Sequence, residues 1–233
     1  MDENYSFIAE ELGEAHAKIP FSRDELVYLQ GRVPAGLFAF LEHSGHAIYC
    51  GGGVTVCPAK TFAPILALVF QGDPDLDHRD CTLVSYTAFG HLHVWSKKHG
   101  NIVIYLPEGQ LTSVSLAPPE FAAEMMPKQQ GKPDPNVVAS GSIVFEPEEM
   151  DFLDYRGAEM LAPCTSAHGP LALGECFGFV PALGLVGADS PTRRVENVKR
   201  VQALEHFCLL AQLQPFYLTK LDRSGIQRVR EIG

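Results

Sequence analysis

The sequence contains none of the short motifs that identify the common catalytic sites. It has no G-x-S-x-G segment of a serine hydrolase, no H-E-x-x-H segment of a zinc peptidase and no C-x-x-C pair. The glycine run Gly51–Gly53 lacks the Gly-Lys-Ser/Thr that completes a phosphate-binding loop, so it predicts a flexible turn. These absences favour a protein that binds a partner and is not an enzyme.

Positive charge is also scarce, with 18 Lys and Arg against 28 Asp and Glu and a net charge of −10. Nucleic acids and anionic membranes are bound by clustered Lys and Arg, so we expect neither as a direct partner. An acidic surface attracts a basic protein instead. The longest apolar run, Ile65–Phe70, is too short to cross a bilayer.

The cysteines lie mostly in apolar runs, as in Cys81–Val84 and Phe207–Leu210. This setting is typical of free, buried thiols in a reducing compartment. The first residues show neither a basic flank nor an apolar stretch of a secretion signal. We therefore expect a cytoplasmic protein.

The spacing of apolar residues predicts an α+β fold of two packed lobes. The first lobe is expected to be an antiparallel sheet meander with flanking helices, and the second a helix-rich lobe with a small sheet. A Ser22-x-x-Glu25 capping box predicts the start of one early helix. The predicted units are a domain at 1–117, a connector at 118–141, a second domain at 142–221 and a tail at 222–233.

Within these units, the sequence predicts particular helices and strands. In the first lobe the predicted strands are 46–50, 54–57, 81–87, 91–97, 101–106 and 111–116, with a helix at 60–70. In the second lobe we predict strands at 142–145 and 216–221, helices at 147–153, 155–164 and 191–213, and one or two buried strands within 174–187.

His91, His93 and Trp95 alternate along a predicted strand and therefore share one face. The two histidines could hold a metal with His46 or Cys50 as third ligand, and Cys50 with His46 could form a nucleophilic pair. Such an enzyme is one alternative. However, strand histidines are more often hydrogen-bonded or exposed, and a reactive cysteine needs an electropositive setting that this acidic chain does not offer. We expect no cofactor and no metal.

A small-molecule-sensing regulator is the other alternative, with the glycine-rich segment 174–187 as a pocket wall. Glycines in such a segment are more typical of close backbone packing.

Two clusters of acidic residues are the candidate partner-binding sites. Each is unfavourable by self-repulsion unless it is solvated, placed at a helix N-terminus or met by a cation. Neither has the ligand spacing of a calcium loop. We predict that one or both contact a basic partner. The first cluster is Asp73, Asp75, Asp77 and Asp80, and the second is Glu146, Glu148, Glu149, Asp151 and Asp154.

The segment Thr87–Trp95, with its Thr-Ala-Phe-Gly and Trp pattern between two strands, resembles the core of the GAD-like domain, as does the preceding region 34–70. Phe177–Leu183 and Val198–Leu213 resemble the Gly-Phe-Val-Pro-Ala-Leu segment and the long helix of the domain of unknown function that commonly follows it. The resemblance covers about residues 20 to 218.

Chains with this two-part architecture resemble immunity proteins of bacterial type VI secretion. The resemblance implies a cognate DNase toxin with an HxxD active-site motif as the partner. It also implies tight binding that blocks or distorts the nuclease. A DNase must present a basic surface to DNA, which agrees with the acidic charge of this chain.

Overall fold

A computed structural model describes residues 3–118, 134–143, 147–222 and 225–233. The fold is α+β, as predicted, with one large sheet flanked by helices and a small second sheet. The strands are β1 Ala17–Ile19, β2 His46–Tyr49, β3 Val54–Val56, β4 Cys81–Thr87, β5 His91–Ser96, β6 Gly100–Tyr105, β7 Gln110–Thr112, β8 Glu175–Phe179, β9 Val198–Gln202, β10 Phe216–Asp222 and β11 Gly225–Ile232.

The helices lie on both faces of the large sheet and in the second lobe. Within the described residues they are α1 Glu3–Leu12, α2 Arg23–Leu29, α3 Ala35–Ser44, α4 Ala59–Val69, α5 Pro135–Ser140, α6 Pro147–Met150, α7 Leu161–His168, α8 Leu183–Val186 and α9 Ala203–Leu213. No helix in this part of the chain is long and apolar enough to cross a membrane.

The large sheet has nine strands in the order β1-β2-β3-β4-β5-β6-β7-β10-β11. Neighbouring strands are antiparallel, except that β10 runs parallel to β7, with Tyr217 opposite Gln110. The chain therefore leaves the sheet after β7, builds the second lobe and returns to complete the same sheet. Strands β8 and β9 form the small antiparallel sheet of the second lobe.

The Ser22-x-x-Glu25 motif begins α2, but only half of a capping box forms. The Ser22 hydroxyl accepts the N–H of Glu25, as expected for an N-cap. The Glu25 carboxylate does not turn back to Ser22. It accepts the N–H of Lys60 at 2.9 Å and so caps the start of α4. Burial raises the pKa of Glu25 despite this bond. One sequence motif thus positions two helices.

The two faces of the large sheet are covered differently. On one face, α4 and α9 pack on aliphatic residues of the central strands, and Phe207 of α9 lies edge-on to Tyr86 with ring centroids 5.2 Å apart. On the other face, α1, α3 and α5 cover only the part around Trp95, with Tyr5 and Phe40 in contact. The remainder of that second face carries His91 and His93 and is covered by the second lobe.

The Phe89–Gly90 turn between β4 and β5 joins the two lobes. The ring of Phe89 packs among Phe152, Phe177 and Phe179 at centroid distances of 5.5 to 6.1 Å. Gly90 has φ +91°, and a Cβ there would lie 3.0 Å from the ring of Phe207. Residue 90 must be glycine for both reasons. The lobes therefore share buried contacts at this turn.

The helix predicted at 191–213 was wrong in its first half. The helix α9 covers only Ala203–Leu213, while 195–197 form a 3-10 turn and β9 occupies Val198–Gln202. Valines at 195, 198 and 201 repeat every third residue, which imitates a helical stripe. Their β-branched side chains favour a strand, and β8 supplies the partner strand.

The prediction of an unstructured tail at 222–233 was also wrong, because Gly225–Ile232 forms β11, paired with β10. Two other elements differ from their predicted bounds. The helix expected at 155–164 lies at 161–168, and the strand expected at 111–116 ends at Thr112. Residues 119–133 of the expected connector and residues 144–145 of the strand expected at 142–145 lie outside the described residues. Ser142 and Ile143 lie in a turn after α5 and not in a strand. The domain boundaries stay a prediction.

Candidate partner surface and a histidine-lined cavity

The first acidic segment, residues 73–80, uses its most buried carboxylate inside the fold. The Asp73 side chain is fully buried and forms a salt bridge with Arg230 of β11. It also accepts the N–H groups of Asp75 and Leu76, both at 2.9 Å. Burial alone would raise the pKa of Asp73, but the bond from Arg230 and these backbone donors lower it. Asp73 thus fixes the C-terminal strand to the loop.

The other carboxylates of this segment are more accessible. Asp75 is half-exposed and pairs with Arg230 at 2.9 Å, while Asp77 pairs with Arg79 at 2.7 Å. Hydrogen bonds from Arg79 lower the pKa of Asp77 to about 2. Asp80 is exposed. Only Asp75, Asp77 and Asp80 can therefore present charge to a partner.

The second acidic segment, residues 146–154, is used mainly to shape the backbone. One Asp151 oxygen accepts the N–H groups of Phe152, Met160 and Leu161 at 2.6 to 3.0 Å, which caps α7. Asp154 closes a turn by accepting the N–H groups of Arg156 and Ala158.

Of the remaining carboxylates in this segment, Glu149 is exposed. The prediction for Glu146 and for the side chain of Glu148 falls outside the described part of the structure. Glu149 and Asp154 are therefore the described members of this segment that can face a partner.

The second acidic segment also forms one wall of a cavity of about 260 Å³ that lies over β5 and β6. The sheet contributes His91, His93, Val103 and Tyr105, and the segment contributes Glu149 and Asp151. His93 is only 5% exposed, and burial lowers its pKa to about 3. Its imidazole is therefore neutral near pH 7.

A second cavity of about 550 Å³ adjoins the first and shares His91 and Tyr105 with it. The His91 imidazole lies 3.5 Å from the carboxylate of Glu108 and packs against Phe152. This cavity contains several cationic side chains. Its other lining residues are Glu108, Gln110, Thr112, Ala188, Asp189, Arg193, Thr219, Lys220, Ile226 and Arg228.

The structure does not assemble the metal site or the nucleophilic pair considered from the sequence. Strands β3 and β4 lie between His46 on β2 and His93 on β5, a separation of roughly 14 Å at the spacing of sheet strands. No group of three or more potential ligands comes together among the described side chains. Burial raises the pKa of the Cys50 thiol, which opposes its activation as a nucleophile.

The glycine-rich segment 174–187 does not line either cavity. A Cβ on Gly178 would lie 2.8 Å from the His206 ring, and one on Gly184 would lie 3.1 Å from Gln214. These glycines therefore permit close packing.

Sequence reasoning found the two histidines but missed Tyr105, Glu108 and Arg193. Tyr105 could have been found, because it stands opposite His91 in the β5–β6 pairing. No pattern in the sequence indicates that Arg193 lies at this site.

Comparison with known families agrees with the two-part organisation. Residues 3–106 match the GAD-like domain. Residues 143–214 match the C-terminal domain of the T6SS immunity protein Tdi1. The two matches follow one another in the order expected from the sequence, and the resemblance is confirmed. These matches support a role in type VI secretion immunity.

The solved structure of Atu4351 from Agrobacterium tumefaciens has the same fold. The TM-score is 0.80, at 23% sequence identity, over 100% of this chain and 98% of that chain. At this identity the likeness concerns the fold alone. No curated protein sequence matches the chain.

Proposed function

We propose that this protein is an immunity protein that binds a type VI secretion DNase toxin and blocks or distorts its active site. The match of residues 143–214 to the Tdi1 immunity domain is the observation that carries the proposal. Neutralisation by binding needs no substrate turnover, which is consistent with a sequence that has none of the common catalytic motifs. The protein itself makes no contact with DNA in this mechanism.

Charge supports a nuclease as the partner. A DNase presents Lys and Arg to the phosphates of its substrate, and a protein of net charge −10 competes for the same surface. Opposite charges increase the rate of encounter, and this increase weakens with salt.

We place the charged part of the interface at Asp75, Asp77 and Asp80 of the first segment and at Glu149 and Asp154 of the second. Asp73 is excluded because its carboxylate is fully buried against Arg230. Asp151 is excluded as a contact because it caps α7.

Exposed apolar residues of the second lobe can supply the affinity that rim charges do not. Val180, Leu185 and Val186 are 49%, 65% and 40% exposed around α8, inside the region that matches the immunity domain. The buried centre of an interface is more apolar than its rim, and rim charges contribute little to affinity. We propose that these three residues are covered by the toxin.

The test is co-expression with the toxin candidate encoded beside this gene, scored by cell survival and co-purification. We expect survival and a stable complex. The double variant Asp77→Lys/Asp80→Lys should slow association by about tenfold at low salt. The same charge change at Glu10 and Glu11 of α1, both exposed, is the matched control.

Absence of protection and of a complex would refute the proposed function. A complex that forms equally fast with both double variants would refute only the position of the interface.

A further inference from the structure

The two adjoining cavities are bordered by buried polar atoms that make no hydrogen bond, although His91 Nε2 lies 3.5 Å from Glu108 Oε1. Among the described side chains, six buried nitrogen or oxygen atoms make no hydrogen bond. Four of them belong to residues that line these cavities: His91 Nε2, His93 Nε2, Glu108 Oε2 and Arg193 Nε. Buried polar atoms are normally paired, with protein groups, ordered water or a ligand, so such a concentration marks these cavities as a candidate binding site.

The charges at the two ends of this space are opposite. The smaller cavity has the carboxylates of Glu149 and Asp151, beside the neutral His93 and the ring of Tyr105. The larger cavity has the guanidinium groups of Arg193 and Arg228, and its one largely buried carboxylate, Glu108, lies against His91 at 3.5 Å. Arg193 has an acidic neighbour, Asp189, but that carboxylate is exposed and 4.0 Å away.

We propose that the joined cavities bind a small zwitterion of the amino-acid class. Its ammonium or guanidinium group lies at the smaller cavity, donating to Glu149 and to the free Nε2 of His93, against the face of Tyr105. Its carboxylate lies at the larger cavity and accepts from the Nε of Arg193. This inference does not depend on toxin binding.

Other ligand classes fit the same atoms less well. An inorganic anion would meet the carboxylates of Glu108, Glu149 and Asp151. A metal ion would lack a set of three ligands among the described residues. A neutral ligand would leave both charged ends unmatched.

The site lies at the contact between the lobes. Phe152 packs on the His91 ring at 5.5 Å and on the Phe89 ring at 5.5 Å, and the Arg193 guanidinium lies 5.6 Å from the Phe152 ring. A ligand that connects His93 of the sheet with Arg193 would therefore also stiffen the joint between the lobes. We expect it to raise the melting temperature.

Calorimetric titration and thermal melting of the full chain test the proposal with L-arginine, L-lysine and 4-aminobutyrate. The matched probes are agmatine and cadaverine, which lack the carboxylate, and butyrate, which lacks the amine. We expect at least one zwitterion to bind with a dissociation constant of about a millimolar or lower and to raise the melting temperature. Its matched probes should bind at least about tenfold more weakly.

Two variants locate the ligand. Arg193→Met should weaken binding of the zwitterion about tenfold while leaving the weaker binding of the amine unchanged. Glu149→Gln should weaken binding of both. Arg194→Met and Glu159→Gln are the controls, because both residues are exposed and line neither cavity.

If no zwitterion binds at millimolar concentration, the cavities hold water only and the proposal is wrong. Equal binding by Arg193→Met and Arg194→Met would also overturn it. Co-purification of Arg193→Met with the toxin reports on the proposed function separately, since that complex does not require the ligand.

Discussion

The two acidic segments look alike in sequence and serve different ends in the fold. Residues 73–80 are neutralised from within, by Arg79 and by Arg230 from the distant strand β11. Residues 149–154 meet few cations; Asp151 and Asp154 accept backbone N–H groups, and the segment covers two histidines on the sheet. A run of carboxylates therefore predicts a charged surface only when no cation from elsewhere in the chain reaches it.

The difference is clearest for Asp73 and Asp151, which each form several hydrogen bonds within the fold. Asp73 contacts a guanidinium 157 residues away, while Asp151 contacts backbone groups within ten residues. Losing the Asp73 contact should weaken the attachment of β11 to the rest of the protein. Losing the Asp151 contacts should affect only the start of α7.

The largest expected effect is at the buried pair. Asp73→Asn removes the buried one of the two carboxylates that compensate Arg230, so we expect a loss of about 3 kcal/mol in the free energy of unfolding. Denaturant unfolding measures it. Asp77→Asn is the matched control, since its ion pair with Arg79 is exposed to solvent and should contribute little to stability. Equal losses in the two variants would contradict the structural role of Asp73.

The second largest expected effect is a loss of protein stability in acid. It is caused by His93, which lies beneath the second acidic segment. Burial lowers its folded-state pKa to about 3, against 6.5 for the exposed group. Between these values the unfolded chain binds a proton that the folded chain does not, so stability falls as the pH falls. From pH 6.5 to 4.5 the loss should be about 2 to 3 kcal/mol.

Unfolding measured across this pH range, with His93→Leu for comparison, checks this expectation. The variant should lose the part of the slope that His93 contributes, while His46 and His206, whose pKa values burial also lowers, keep theirs. His43→Gln, at an exposed position, should keep the whole slope. An unchanged slope in His93→Leu would mean that another group causes the acid sensitivity.

The smallest expected effect is at the cap of α7. Asp151→Ala leaves three backbone N–H groups without their acceptor, and the loss should be about 1 to 2 kcal/mol. Glu149→Ala, two residues earlier and exposed, should change stability by less than about 0.5 kcal/mol. A neutral result for Asp151→Ala would show that water replaces the cap.

Sequence reasoning succeeded where the pattern was local. Strands β4, β5 and β6 and the Phe89–Gly90 turn were predicted closely, because apolar residues are bounded there by turn residues. The Ser22 cap was predicted for the same reason. The role of Glu25 was not, since its donor, the N–H of Lys60, lies 35 residues away.

The elements and site residues that were missed depend on distant partners. Strand β11 is mostly exposed and polar, and it is held by β10 and by the contact of Arg230 with Asp73. The cavity forms only when residues near 150 and 190 cover the His91 face of the sheet. No spacing within the sequence shows that these segments meet.

The parallel pairing of β10 with β7 makes the second lobe an insertion within one sheet. Cutting the chain between the two matched families would not yield two self-contained halves. The first would lose β10 and β11 and leave β7 as an open edge, the kind of surface that recruits foreign strands. Any exchange of the immunity-type lobe between relatives must therefore preserve both points where the chain enters and leaves the sheet.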